Sequence, residues 1–204
     1  MKCFRLFVIA LILAMLFSAC GKAGEESGAI ETNDIRVVFS DGEQFSPGSF
    51  ELKKTLGFIS GMRYNARSTA KHVYVAFANY DAELGFFAVD VPKEPGQIVI
   101  VISFKTENRA MPLNQQMDAY AKMKVPTGTY PPGWMIEGRC FQVNYFVGGQ
   151  EGGPSISGQG ASGSATLTTS TSDRVSGRID FTSPGGSTIR GTFNVRIEKD
   201  LWKK

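Results

Sequence analysis

The sequence predicts an all-β fold: an antiparallel β-sandwich or open barrel with at most one short helix, behind an N-terminal signal helix. Three observations lead there. Short runs of alternating apolar and polar residues recur along the chain, separated by Gly, Pro, Asn and Asp turn signals. The last two runs, 174–182 (RVSGRIDFT) and 188–198 (TIRGTFNVRIE), form a hairpin around the turn 183–187 (SPGGS). Strands do not alternate with helices, as a parallel sheet requires.

Taken in order, residues 35–40 (IRVVFS) are β-branched and predict a first strand, followed by the turn Asp41-Gly42. Residues 49–56 (SFELKKTL) alternate, with Phe50, Leu52 and Leu56 on one face; residues 57–69 show no clear period. Residues 72–80 (HVYVAFANY) put Val73, Val75 and Phe77 on one face. Residues 80–84 read as a connection and 85–91 (GFFAVDV) as the next strand. Residues 97–105 (QIVIVISFK) are apolar on both faces, with Ile98, Ile100, Ile102 and Phe104 on one side and Val99 and Val101 on the other. That is the pattern of a strand buried at the centre of a sheet.

Residues 112–124 (PLNQQMDAYAKMK) carry a helical stripe, Leu113, Met117, Tyr120 and Ala121, closed by Pro126. Residues 131–134 (PPGW) are a turn-rich loop. Residues 139–147 (RCFQVNYFV) are a strand with Phe141, Val143, Tyr145 and Val147 on its apolar face. Residues 148–163 form a long, mobile Gly/Ser loop, either a linker or functional. Residues 164–170 (SATLTTS) are a threonine-rich strand. In the closing hairpin Val175, Gly177, Ile179 and Phe181 point inward, as do Ile189, Gly191, Phe193, Val195 and Ile197. Arg178, Asp180, Arg190, Asn194 and Arg196 point outward. Glycine inside a strand marks a bulge or a close approach of another backbone.

The N-terminus sets location. Lys2 and Arg5 precede an unbroken apolar run of 12 residues, Leu6 to Phe17, then small residues and Cys20. Charge, apolar run and small-residue exit are the parts of a secretory signal. A membrane-spanning helix needs about 20 apolar residues, so the run is short for a permanent span. The exit sequence Phe17-Ser18-Ala19-Cys20-Gly21 resembles the lipobox of bacterial lipoproteins. That resemblance covers only the first 20 or so residues. It implies cleavage before Cys20, lipidation of its sulfur and acylation of the new N-terminus. Gly21, where enteric lipoproteins kept at the inner membrane carry Asp, implies an outer-membrane address. Several acyl chains hold a protein stably where one binds marginally. The domain plan is then a signal peptide at 1–19, a lipidated N-terminus and flexible tether at 20–33 (GKAGEESGAIETN from Gly21), and a single β-sandwich domain at 34–204.

Composition removes several classes. The chain has 22 Lys and Arg against 19 Asp and Glu, and Lys2 and Arg5 leave with the signal, so 20 basic residues face 19 acidic ones. No basic excess for nucleic acid remains. Of 3 cysteines, Cys3 lies in the signal and Cys20 is the lipid site, which leaves Cys140 without a partner for an intrachain disulfide. A buried structural thiol is the expectation for it.

Chemistry-bearing motifs are few. His72 is the single histidine; it opens a strand and is expected at an exposed edge. GxSxG, HExxH, a P-loop and CxxC are lacking, so no catalytic residue, cofactor or metal is nominated. Asn79, Asp81 and Glu83 alternate as the first half of a calcium loop does, but Asp90 stands where a distal Glu belongs, and a solvated turn fits better. Tyr130 and Trp134 flank Pro131-Pro132-Gly133 and are the residues nominated for ligand contact, against the alternative that both rings cover the end of the sandwich. The expected function is a lipid-anchored envelope protein, a non-catalytic binding or structural sandwich. A carbohydrate-binding module or hydrolase of the envelope is the alternative. Its expected partners are the membrane, through the anchor, and envelope proteins or polysaccharide.

Overall fold

A computed structural model describes residues 33–40, 50–65, 68–84, 89–106, 109–110, 115, 124–133, 138–149, 156 and 159–198. The chain divides into units 1–30 and 31–204, and every described residue lies in the second. The expected signal, Cys20, residues 21–32 of the tether and nearly all of the expected helix at 112–124 lie outside the described residues.

The described chain is all-β and antiparallel, in two sheets that do not close into a barrel. The strands are β1 (Asp34–Val38), β2 (Lys54–Asn65), β3 (Ser68–Ala78), β4 (Ile98–Lys105), β5 (Arg109–Ala110), β6 (Gly128–Tyr130), β7 (Phe141–Val147), β8 (Ser162–Ser170), β9 (Arg174–Thr182) and β10 (Thr188–Arg196). The five-stranded sheet runs β1-β10-β9-β8-β6, and the four-stranded sheet runs β2-β3-β4-β7, with β5 pairing the start of β3. The main core lies between them. Ile98, Ile100, Ile102 and Phe104 of β4 meet Ile179 and Phe181 of β9 and Phe193 and Val195 of β10 in one buried cluster. Phe104 is its hinge of aromatic packing, edge-on to Tyr130 at 5.4 Å and tilted against Phe193 at 6.0 Å.

β4 is buried along its whole length. Its second face, Val99 and Val101, belongs to a smaller cluster with Leu56, Phe58, Ala76 and Ala78, covered by Ala82, Leu84 and Val89 from the connection after β3. Apolar residues on both faces therefore mean what the sequence implied: a central strand with packing on either side. Asn79 ties this corner, its carboxamide accepting from Ile98 N at 2.7 Å and donating to Gly96 O at 2.8 Å.

The closing hairpin folds around the expected turn, and its register sets Arg190 opposite Asp180 and Val195 opposite Val175. Its two strand glycines mark close approaches. At Gly191, φ is +139° and a Cβ would sit on the carbonyl oxygen of Asp34 in the neighbouring β1. At Gly177 a Cβ would meet the Thr166 carbonyl and the Phe193 ring. Small side chains let β10 take β1, and β9 take β8, at sheet spacing.

Several expectations change. The strand expected at 49–56 begins only at Lys54 and continues through the stretch without period to Asn65. Gly57 is not a breaker there: it faces the Arg196 carbonyl, and β2 forms a parallel bridge with Ile197 through it. Phe50 and Leu52 still pack on the core, outside any strand. His72 is not an exposed edge residue. β3 starts four positions earlier, at Ser68, and pairs with β2 on one side and β4 on the other, so His72 sits inside the sheet with 1% of its surface exposed. The strand expected at 85–91 is represented by one bridge, Leu84 to Val89, with 85–88 outside the described residues. The three-residue β6 was not anticipated. In the loop 148–163, Ile156 is buried and its N–H donates to Val143 O at 3.0 Å, so at that point the segment is docked along β7.

Candidate functional site

Among the described residues two places bring polar side chains together, one inside and one outside. The inner place follows from register. His72 on β3 lies directly opposite Lys105 on β4, and the Lys105 N–H donates to Cys140 O, just before β7. Alternation turns Val73, Phe104 and Phe141 to the main core, so His72, Lys105 and Cys140 share the other side of the sheet. All three are buried, at 1%, 2% and 4% exposure. Ser103 and Gln142 stand opposite each other one pleat away, also buried. The His72 ring stacks over Tyr74 at 5.6 Å, and Tyr74 over Phe58 at 4.7 Å. Burial, and secondly the charge of Lys105, push the His72 pKa from 6.5 down to about 4, so the imidazole is neutral at physiological pH.

The outer place is the solvent face of the five-stranded sheet. Its side chains are those that alternation excludes from the core. Register sets them in rows. Arg36, Arg190, Asp180 and Ser164 cross from β1 to β8, and Asp34, Thr192, Arg178, Thr166 and Thr129 form the next row out to β6. Farther along, Arg196 lies directly opposite Arg174. Among the described residues on this face every cation is an arginine, five against the carboxylates of Asp34 and Asp180. Arg190 Nε donates to Asp180 at 3.0 Å, and Arg174 Nη1 to Asn194 at 2.8 Å, so both guanidiniums are held in place. Hydroxyl pairs continue the array: Thr129 with Thr166 at 3.1 Å, and Thr168 with Ser176 at 3.0 Å.

The residues nominated for ligand contact part company. Tyr130 is fully buried in the main core, its hydroxyl donating to Pro126 O and Arg139 lying 4.3 Å above its ring. It is packing, not a contact surface. Trp134 and Cys20 lie outside the described residues. The Cys140 thiol is buried and takes part in no disulfide. The turn at Asn79 and Asp81 holds no metal cluster: Asp81 pairs with Lys53 at 2.9 Å, and no group of three His, Cys, Asp or Glu side chains among the described residues is placed to hold an ion.

Sequence reasoning placed Arg178, Asp180, Arg190, Asn194 and Arg196 outward on the hairpin. It missed Arg36, because nothing local says that the first strand pairs with the last. It also missed the row through His72, Lys105 and Cys140, because alternation gives a residue's face and not its neighbour. Comparison with protein-family models, curated proteins and solved structures finds no match.

Proposed function

We propose that the chain is a lipid-anchored bacterial envelope protein, held to the outer membrane through Cys20, whose sandwich is a non-catalytic binding module. The observation that carries this reading is the succession of Lys2 and Arg5, the apolar run Leu6 to Phe17 and the small-residue exit at Cys20. Residues 21–33 then act as a tether of small, polar composition, giving the sandwich reach from the bilayer. A contact surface for such a module is available in the outward arginine and hydroxyl rows of the five-stranded sheet. Of the two alternatives, carbohydrate binding is favoured over hydrolysis by that array of hydroxyls and guanidiniums on a broad exposed face, whereas His72, the one imidazole, is buried.

The test is Cys20→Ser in the full chain. The wild-type protein is expected to fractionate with outer membranes and to carry a mass excess of acyl chains. The variant is expected to lose both. Unchanged fractionation and an unmodified wild-type mass would sink the reading.

A further inference from the structure

We propose that the outer face of the five-stranded sheet binds an acidic polysaccharide, laid along the β9–β10 seam and gripped by Arg36 with Arg190, Arg178, and Arg174 with Arg196. The proposal rests on the reading of the chain as a binding module of the envelope, and it adds the chemical class of the ligand.

The first argument is charge. Chain 20–204 is close to neutral, 20 basic residues against 19 acidic, yet the described residues of this face set five arginines against two aspartates. The excess is local, not a reflection of composition. The second is arrangement. Arg36 stands directly opposite Arg190, and Arg174 directly opposite Arg196. Asp180 holds Arg190 at 3.0 Å, so the row Arg36, Arg190 and Asp180 keeps a net positive charge that an added anion offsets. The planar guanidinium donates two parallel bonds to a carboxylate or phosphate, which suits such an anion better than lysine would.

The third argument is extent. From Arg190 to Arg196 is six residues of extended strand, about 20 Å at strand rise. Arg178 lies between, in the row of Thr192 and Thr166. Charges spread over that distance suit an extended polymer, not a single small anion. Between and beside them run hydroxyls, Ser164, Thr166, Thr192 and Thr129, which pair with sugar hydroxyls as the arginines pair with acid groups.

The same face argues against other anionic partners. Among the described residues no aromatic side chain points outward from its strands, Phe181, Phe193 and Tyr130 being buried in the core, so it offers no platform for nucleic-acid bases and no aromatic anchor of the kind protein interfaces use. Among the described residues Val38 is its one exposed large hydrophobic residue, too little to enter the acyl region of a membrane.

The experiment uses the lipidated full chain in non-ionic detergent. It is titrated by calorimetry with polygalacturonate, with dextran as the uncharged polymer, and with phosphatidylglycerol-doped micelles as the anionic-lipid arm. Polygalacturonate is expected to bind, more weakly as salt rises, and dextran not to bind. Arg36→Gln with Arg190→Gln is expected to weaken binding about tenfold or more, the loss of a charged hydrogen-bonded contact. Asp34→Asn, which removes a like charge to the ligand from the same face, is expected to tighten it. This opposite-signed variant keeps the test decisive if the double variant folds poorly. Absence of polygalacturonate binding, equal binding of dextran, indifference to both variants, or an arginine-dependent response to phosphatidylglycerol alone would each overturn the proposal. None of these outcomes bears on the mass and fractionation at Cys20, so the two readings fail separately.

Discussion

His72 and Lys105 face each other across β3 and β4, both buried on the side of the four-stranded sheet turned away from the main core. An imidazole beside a buried ammonium stays neutral. The unfolded chain protonates His72 near pH 6.5 and the folded protein only near about 4. Between those values the unfolded state binds more protons, so stability falls with falling pH. The contribution of the neutral ring is fully present above pH 6.5, is lost progressively down to pH 4, and changes little below. A shift of this size corresponds to about 3 kcal/mol. Urea unfolding of the wild type and His72→Gln across this range is expected to give a steeper acid loss for the wild type, the difference developing between pH 6.5 and 4. Parallel profiles would show that His72 is not the group responsible.

Lys105→Met separates the two causes of that depression. Because the chain contains 1 histidine, a single imidazole resonance reports its titration without assignment. With the charge gone, the His72 pKa is expected to move up from about 4 yet stay below 6.5, since burial is the larger cause and remains. A full return to 6.5 would mean that the substitution has opened the site to water, and no movement would mean that the ammonium is not felt.

The sandwich was legible where chemistry is local. β9, β10 and β4 were placed to within two residues because alternation, or its loss in a fully buried strand, is written in side chains. β2 was misplaced because its Gly57 answers to the end of β10, a strand more than a hundred residues away, and not to its own neighbours. Tyr130 illustrates the limit for sites. A tyrosine beside two prolines reads as an exposed anchor or as the lid of a core, and the position of Phe104 decides between them. The arginine face is half legible for the same reason: one hairpin supplies Arg178 and Arg190, and pairing at long range supplies Arg36.

Gly191→Ala tests the fit of β1 onto β10. The backbone there lies at φ +139°, and the added methyl meets the Asp34 carbonyl. Strain of that kind costs about 1–3 kcal/mol, and the overlap adds a comparable amount. The denaturation midpoint is expected to drop sharply. Gly96→Ala, at φ +85° with open space around it, carries the backbone cost alone and is expected to lose only about 1 kcal/mol. Equal losses at the two positions would show that β1 yields to the methyl group.

Tyr130 gives the most direct contrast between a packing residue and a contact residue. Its ring is edge-on to Phe104, Arg139 lies over it, and its hydroxyl donates to Pro126 O. Burial pushes the hydroxyl pKa up against the opposing pull of Arg139. Tyr130→Phe keeps the ring and strands one carbonyl, which costs about 1 kcal/mol. Tyr130→Ala leaves a cavity beside Phe104 and costs about 3–5 kcal/mol. A contact residue behaves the other way: truncation leaves the urea midpoint in place and weakens binding. Measured together, a large midpoint shift for Tyr130→Ala with polygalacturonate affinity unchanged in Tyr130→Phe fits a core residue. A stable alanine variant with weakened binding returns Tyr130 to the surface role that its sequence neighbours suggested.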